Sequence, residues 1–264
     1  MNIAVVTGAS SGMGREFCKI LDKEGYDEIW GIGLGKESME AVKSELSTSF
    51  KYFDMDLTVD KNLNKYKAAL EEAKPNVKWL VNASGFGKFG RYDEIEVENS
   101  INMIDLNCRA LVFITETTLP YMSEGAKITQ FSSIAAFQPL PYINIYSATK
   151  VFVLNYSLSL GMELKSRKIT VTAVCPYWTK TAFFDRATQI KSKTSGEVIT
   201  YYTVMYDPIK VINKAYKDSK KGKSKSIYGF ITNLQARLSK LLPVKLIMNY
   251  WIFQQKLKKT YKGK

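Results

Sequence analysis

Histidine is absent from all 264 residues, and that absence removes much catalytic chemistry at once. Ser-His-Asp and Cys-His nucleophiles, histidine-ligated metal sites and imidazole acid–base catalysis all need a residue this chain does not contain. Cysteine is scarce. Cys18, Cys108 and Cys175 are odd in number, widely spaced and set among apolar residues, so buried reduced thiols are expected in place of disulfides or a metal site. Long apolar runs are missing too: near the C-terminus the longest, Val244 to Phe253, falls far short of the roughly 20 residues of a spanning helix. The N-terminus enters an apolar run with no basic leader or h-region, so no secretory signal and a cytoplasmic location are expected. Carboxylates are rare at one end only. Residues 207–264 hold 15 Lys and Arg against 2 Asp, so the whole formal excess of +13 is C-terminal.

What is present suits one α/β domain spanning residues 1–264, because 45% hydrophobic residues at this length can fill a large core. Short apolar runs at residues 3–7, 28–32, 51–53, 78–81, 127–131, 170–174 and 226–229 read as buried strands. Between them, residues 15–23, 37–46, 61–73, 99–122, 147–165 and 208–217 read as helices. Alternation of this kind predicts a Rossmann-like, doubly wound, mostly parallel seven-stranded sheet with helices on both faces. Ligands bind such sheets beyond the carboxyl ends of the strands.

Two motifs fall at those ends. Gly8-Ala9-Ser10-Ser11-Gly12-Met13-Gly14 follows the first strand and leads into a helix, where glycines permit a tight turn and free N–H groups can receive a pyrophosphate. At mid-chain, Tyr146 and Lys150 are four residues apart, on one face if the segment is helical, and Ser133 lies thirteen residues upstream of Tyr146. A fixed positive charge beside a phenol lowers its pKa and makes it a proton donor near neutral pH. A core-facing aromatic and a solvated lysine would share the same spacing. The glycine turn followed by Ser, Tyr and Lys resembles the classical short-chain dehydrogenase/reductase family over roughly residues 1–181.

That resemblance implies hydride transfer between a nicotinamide and a carbonyl or alcohol carbon. Tyr146 would exchange the proton, Lys150 would tune it and hold the nicotinamide ribose, Ser133 would orient the substrate oxygen, and Asn107 would support a proton relay. Ser133 is not assigned as a nucleophile, since no histidine or other base activates it; Ser132 is the competing choice, but the interval to Tyr146 matches the family with Ser133. The cofactor-binding set is Gly8, Ser10, Ser11, Gly12, Met13, Gly14, Asp56, Asn82, Tyr146, Lys150, Pro176, Thr179 and Thr181. Asp56 would contact adenine, or simply cap a turn. Asn82-Ala83-Ser84-Gly85 resembles the family's Asn-Asn-Ala-Gly with the second asparagine replaced. Tyr177 likewise replaces the glycine of a Pro-Gly-x-x-x-Thr pattern. Leu34 stands where an acidic residue would select NAD, and Lys36 and Arg15 are near in sequence, so the reading favours NADP(H) over NAD(H).

The substrate pocket is assigned to Tyr142, Tyr177, Phe183 and Phe184, with residues 182–207 as a lid. So many aromatics favour a hydrophobic, steroid-like or lipid-like alcohol or ketone over a sugar, although single residues could equally be core. Residues 231–264 form a basic amphipathic extension interrupted at Pro243. It could lie on an anionic membrane, or cover the sheet edge or a partner subunit in a dimer or tetramer. No nucleic-acid recognition motif accompanies the charge, and no nucleic-acid partner is expected. A contrasting possibility is a non-catalytic nucleotide-binding or membrane-surface scaffold that retains the fold. It would not need Asn107, Ser133, Tyr146 and Lys150 together.

Overall fold

Apolar and β-branched residues drive the first strand, β1 (Asn2–Thr7), in which Ile3, Ala4, Val5 and Val6 are fully buried because both faces of the sheet are covered. In the computed structural model, residues 1–181, 183–188, 199 and 201–256 are described. Parts of the expected lid (182, 189–198, 200) and of the C-terminal extension (257–264) lie outside the described residues. The other strands are β2 (Glu28–Gly33), β3 (Ser49–Asp54), β4 (Asn76–Asn82), β5 (Lys127–Phe131), β6 (Thr170–Val174) and β7 (Lys225–Ser226). All seven are parallel, in the order β3-β2-β1-β4-β5-β6-β7. The order reverses between β1 and β4, and that is where the carboxyl ends part to leave a crevice.

Side chains alternate between two cores. Ile3, Val5, Leu80 and Ile128 face α3 (Asp60–Ala73), α5 (Leu111–Thr118) and α6 (Asn144–Glu163), against Leu63, Tyr66, Ile114 and Leu160. Ala4, Val6, Ile29 and Val81 face α1 (Gly12–Leu21), α2 (Lys36–Glu45) and α8 (Pro208–Lys220), against Phe17, Met39, Val42 and Ile212. Phe17 anchors α1 beneath the crevice, with edge-on contacts to Trp79 and Phe131. Cys18, Cys108 and Cys175 are buried free thiols.

Two stretches differ from expectation. The helix anticipated over 99–122 is composite: α4 (Val97–Ile104), a π-helical segment (Asp105–Ala110), α5 and a short 3₁₀ turn (Leu119–Tyr121). The last strand leaves the sheet after Ser226, since Gly229 at φ 92° starts the turn into α9 (Phe230–Leu238). Beyond it lie Pro243 and α10 (Val244–Gln254), so the break at Pro243 separates two helices. α7 (Phe183–Thr188) lies in the stretch expected to form a lid. No helix among the described residues is long and apolar enough to cross a membrane. Phe17→Ala should lower unfolding stability by about 3–5 kcal/mol, the usual cost of emptying a buried aromatic site, read as a fall in the urea midpoint.

Candidate active site

The crevice begins at the glycine turn. Ser11 precedes α1 without a side-chain cap, so the first-turn N–H groups face outward unpaired by the helix. Gly14 is required by close approach: a Cβ there would collide with the Gly8 carbonyl. Gly8, at φ 71°, is pressed against the Ala83–Ser84 backbone, which a Cβ would approach to 2.9 Å. Gly8, Ser10, Ser11, Gly12, Met13 and Gly14 form one wall of a groove of about 1350 Å³. Leu34, Asp56 and the Ala83–Gly85 turn form the others.

Asp56 caps a turn at the edge of the groove. It lines the groove, and its carboxylate accepts from the Thr58 N–H and hydroxyl at 2.8 Å each. Asn82 does not reach the groove wall. Its amide turns under the sheet, donating to Thr115 Oγ1 (2.9 Å) and Gln130 Oε1 (3.0 Å). It therefore braces the strand ends, while Ala83, Ser84 and Gly85 present backbone to the groove. The cations suggested for a 2′-phosphate are also placed elsewhere: Arg15 is held by Glu45 at 2.6 Å, and neither it nor Lys36 lines the groove.

Asn107, Ser133, Tyr146 and Lys150 converge next to that groove. The 20 residues of α6 put Tyr146 and Lys150 one turn apart, with the ammonium 5.6 Å from the ring centroid. Lys150 is only 5% exposed, and its Nζ donates to the Phe131 carbonyl at 2.9 Å. Ser132 is committed elsewhere, donating to the Lys150 backbone carbonyl at 2.7 Å. Ser133 accepts from the Ala135 N–H at 3.1 Å and lines the same pocket as Tyr146, whose phenol it acts on to favour the ionised form, which separates the two serines. Asn107 sits in the π-helical segment, fully buried. Its amide donates to the Phe86 carbonyl (2.9 Å) and Thr149 Oγ1 (3.0 Å) and accepts from the Phe86 N–H (3.1 Å). Such π-turns often occur where a helix serves a site.

Burial dominates the electrostatics. It pushes the Tyr146 phenol up to about 12, partly offset by the Ser133 hydrogen bond, and pulls the Lys150 ammonium down to about 8. The lowering of Tyr146 expected from Lys150 is therefore not present in the protein alone. Burial also holds the Cys108 thiol up at about 11. Among the described residues no His, Cys, Asp and Glu cluster could hold a metal.

A second cavity of about 840 Å³ adjoins the groove, and the two share Met13, Ala83, Gly85, Thr181 and Phe183 in their walls. Ser133, Tyr146, Lys150, Pro176, Tyr177, Thr179 and Phe184 also line it. Phe183 stands at the junction, its ring 5.4 Å from that of Tyr146. Tyr142 is not on the wall. It is fixed at φ 70°, its carbonyl accepts from the Gly90 N–H at 2.8 Å, and its side chain packs on the adjoining aromatic cluster. Sequence reasoning missed Trp178, Gln138, Leu140, Ile143, Gln235 and Trp251. Trp178 could have been found from its place beside Tyr177. Gln235 and Trp251 come from α9 and α10, for which no local signal exists.

A sequence model of the short chain dehydrogenase family matches residues 2–192. A very-long-chain 3-oxoacyl-CoA reductase from Bos taurus is 35% identical over 188 residues, covering 67% of this chain and 59% of that protein. A serine 3-dehydrogenase from Agrobacterium fabrum is 30% identical over 181 residues, covering 68% and 72%. Among solved structures, a short-chain dehydrogenase from Sphingobium yanoikuyae in complex with NADPH has a TM-score of 0.77 at 25% identity and covers 91% of this chain and 92% of that one. The uncapped helix start, with its outward N–H groups on the groove wall, suits the pyrophosphate of such a nucleotide. With those matches and a parallel sheet that carries this groove at its switch point, the chain belongs to the short-chain dehydrogenase/reductase family of NAD(P)-dependent oxidoreductases.

Proposed function

We propose that this oxidoreductase interconverts a carbonyl and a secondary alcohol on a hydrophobic, lipid-like molecule, using NADP(H) in preference to NAD(H). The observation that carries the reading is the placement of Ser133, Tyr146 and Lys150 together on the wall of a largely apolar pocket that shares residues with the nucleotide groove. The nicotinamide, when bound, supplies or receives the hydride at the carbonyl carbon. Tyr146 Oη gives its proton to the carbonyl oxygen as the alcohol forms, and takes it back in the reverse direction. Ser133 Oγ donates to the same oxygen and steadies its developing charge. Lys150 would bond the nicotinamide ribose and set its charge 5.6 Å from the Tyr146 ring centre as the phenolate forms, and Asn107 fixes the Phe86 turn against α6. Gly8 to Gly14 would hold the pyrophosphate, Asp56 would contact the adenine, and Pro176, Thr179 and Thr181 would border the nicotinamide end.

Substrate class follows from the walls. Tyr177, Trp178, Phe183, Phe184, Leu140 and Trp251 surround the reacting groups with apolar surface, and few polar groups stand among them to bond a sugar. The bovine relative's name, a very-long-chain 3-oxoacyl-CoA reductase, describes a carbonyl on a long apolar chain, which supports the same reading. The NADP(H) preference rests on Leu34, an uncharged residue at the groove wall where a carboxylate would repel a 2′-phosphate. Assembly with a second copy is supported by Val97, Ile101 and Ile104 on α4 and Val151 and Phe152 on α6, apolar side chains exposed on neighbouring helices.

Tyr146→Phe should leave nucleotide binding, measured by fluorescence titration, near wild type while turnover falls about 10²–10⁴-fold, the usual worth of a positioned general acid; retained wild-type turnover would remove Tyr146 from the proposed role. Michaelis constants should be lower for NADPH than for NADH, and ketones bearing acyl chains or steroid rings should be turned over in preference to polyols; the reverse order would refute the substrate and cofactor reading. The depressed Lys150 makes a prediction about pH. The unfolded chain binds its proton up to about 10.5 but the folded site releases it near 8, so stability is penalised fully below pH 8 and recovers as pH rises through that window. Urea unfolding should therefore show wild type gaining on Lys150→Met between pH 8 and 10, with the gap unchanged below pH 7.

A further inference from the structure

Helices α9 and α10 are apolar on two faces. On α9, Thr232 and Ala236 turn inward, while Ile231, Leu234 and Leu238 form an exposed stripe at i, i+3, i+7 spacing. On α10, Ile247 and Trp251 pack inward, and Leu246, Tyr250 and Phe253 point out at i, i+4, i+7. Exposure is extreme for such side chains: 83% for Phe230, 79% for Leu241 and 80% for Phe253. The protein body covers only one face of each helix. Contiguous apolar surface of this kind marks an interaction site.

Charge identifies the occupant. Residues 219–264 contain no Asp or Glu. Arg237 and Lys240 flank the α9 stripe on one side, and with Lys214, Lys223 and Lys225 they line a cleft whose one carboxylate, Asp218, is already paired with Lys214 and Lys223. On the other side of the stripe, Gln235 lines the substrate pocket, joined there by Trp251 of α10. Pairing of this face with a second copy would set Arg237, Lys240, Lys245 and Lys256 against the same four cations with no carboxylate between them. An anionic bilayer satisfies both components, since its acyl region takes the apolar stripe and its phosphates take the cations.

We propose that the α9–α10 face docks on the surface of an anionic phospholipid bilayer, with the apolar stripe inserted and Arg237, Lys240 and the neighbouring lysines on lipid phosphates. The helices that wall the substrate pocket then lie in the membrane interface, and the carbonyl substrate reaches the pocket from the bilayer. This deepens, and for its substrate rests on, the lipid-like reading above.

The test is co-flotation with vesicles of phosphatidylcholine alone or mixed equally with phosphatidylglycerol. Wild type should float with the mixed vesicles and stay behind with neutral ones. Leu238→Asn/Leu241→Asn/Phe253→Asn and, separately, Arg237→Gln/Lys240→Gln should each weaken partitioning roughly tenfold or more. Both variants should reduce a water-soluble ketone at the wild-type rate and keep the wild-type sedimentation coefficient. Equal binding to neutral vesicles, no binding by wild type, or unchanged binding by the charge variant overturns the proposal; so does a drop in subunit number in the apolar variant, which would assign the face to a second copy. If the apolar variant misfolds, the wild-type lipid dependence and the charge variant still decide. Vesicle binding without ketone turnover sinks the enzymatic reading instead, and turnover without vesicle binding sinks this one alone.

Discussion

Holding the Lys150 ammonium out of water is the constraint on which the rest of the site depends. An unpaired cation in such a place is costly and tends to lose its proton, so the surroundings must supply an acceptor. They do so through the Phe131 carbonyl at 2.9 Å, the last residue of β5, so the end of the sheet fixes where the lysine can sit. The Ser132 hydroxyl then ties that strand end to the Lys150 backbone. Asn107 closes the other side, and Gly85 cannot be larger, because a Cβ would stand 2.9 Å from Asn107 Oδ1 and 3.3 Å from Lys150 Nζ. Strand, helix, π-turn and glycine loop meet at one charge.

The same burial acts oppositely on the two titrating partners. It raises the phenol of Tyr146 and lowers the ammonium of Lys150, because in each case the charged form loses hydration. At neutral pH the protein alone therefore presents a protonated phenol beside a lysine that is still mostly charged. Such a phenol is an acid. Ser133 is the group that moderates it, and its hydroxyl is itself held by the Ala135 N–H. Moving the phenol further down calls for positive charge beyond what Lys150 delivers from its seat at Phe131.

Much of this is legible in the sequence because it is local. The strand runs, the glycine turn and the Tyr-x-x-x-Lys pair depend on neighbours a few residues away, and the interval to Tyr146 distinguishes Ser133 from Ser132. Asn82 is different. The two-residue period of β4 puts it on the face of Leu80, toward Thr115 and Gln130, so resemblance of the motif outweighed a parity that points it away from the groove. Asn107 sits in a π-turn, and one extra residue in a helical turn leaves no trace in an apolar pattern. Tyr142 takes a left-handed φ of 70° that no local pattern signals, and it packs on the aromatic cluster in place of the pocket wall.

The C-terminal helices were the least legible part, since their partners lie 54 to 110 residues away. Trp251 donates to the Pro141 carbonyl at 3.0 Å and stacks near Trp178, and Gln255 bonds both the N–H and the carbonyl of Tyr201. Those inward groups account for one stripe of α10 and explain how a segment so far along the chain comes to close the pocket. They do not account for Leu246, Tyr250 and Phe253, which touch water on the opposite side. If closing the pocket were the only demand on these helices, polar residues there would cost nothing and would aid solubility. The apolar outer face therefore answers a second demand, and it sits on the same two helices that bound the substrate pocket.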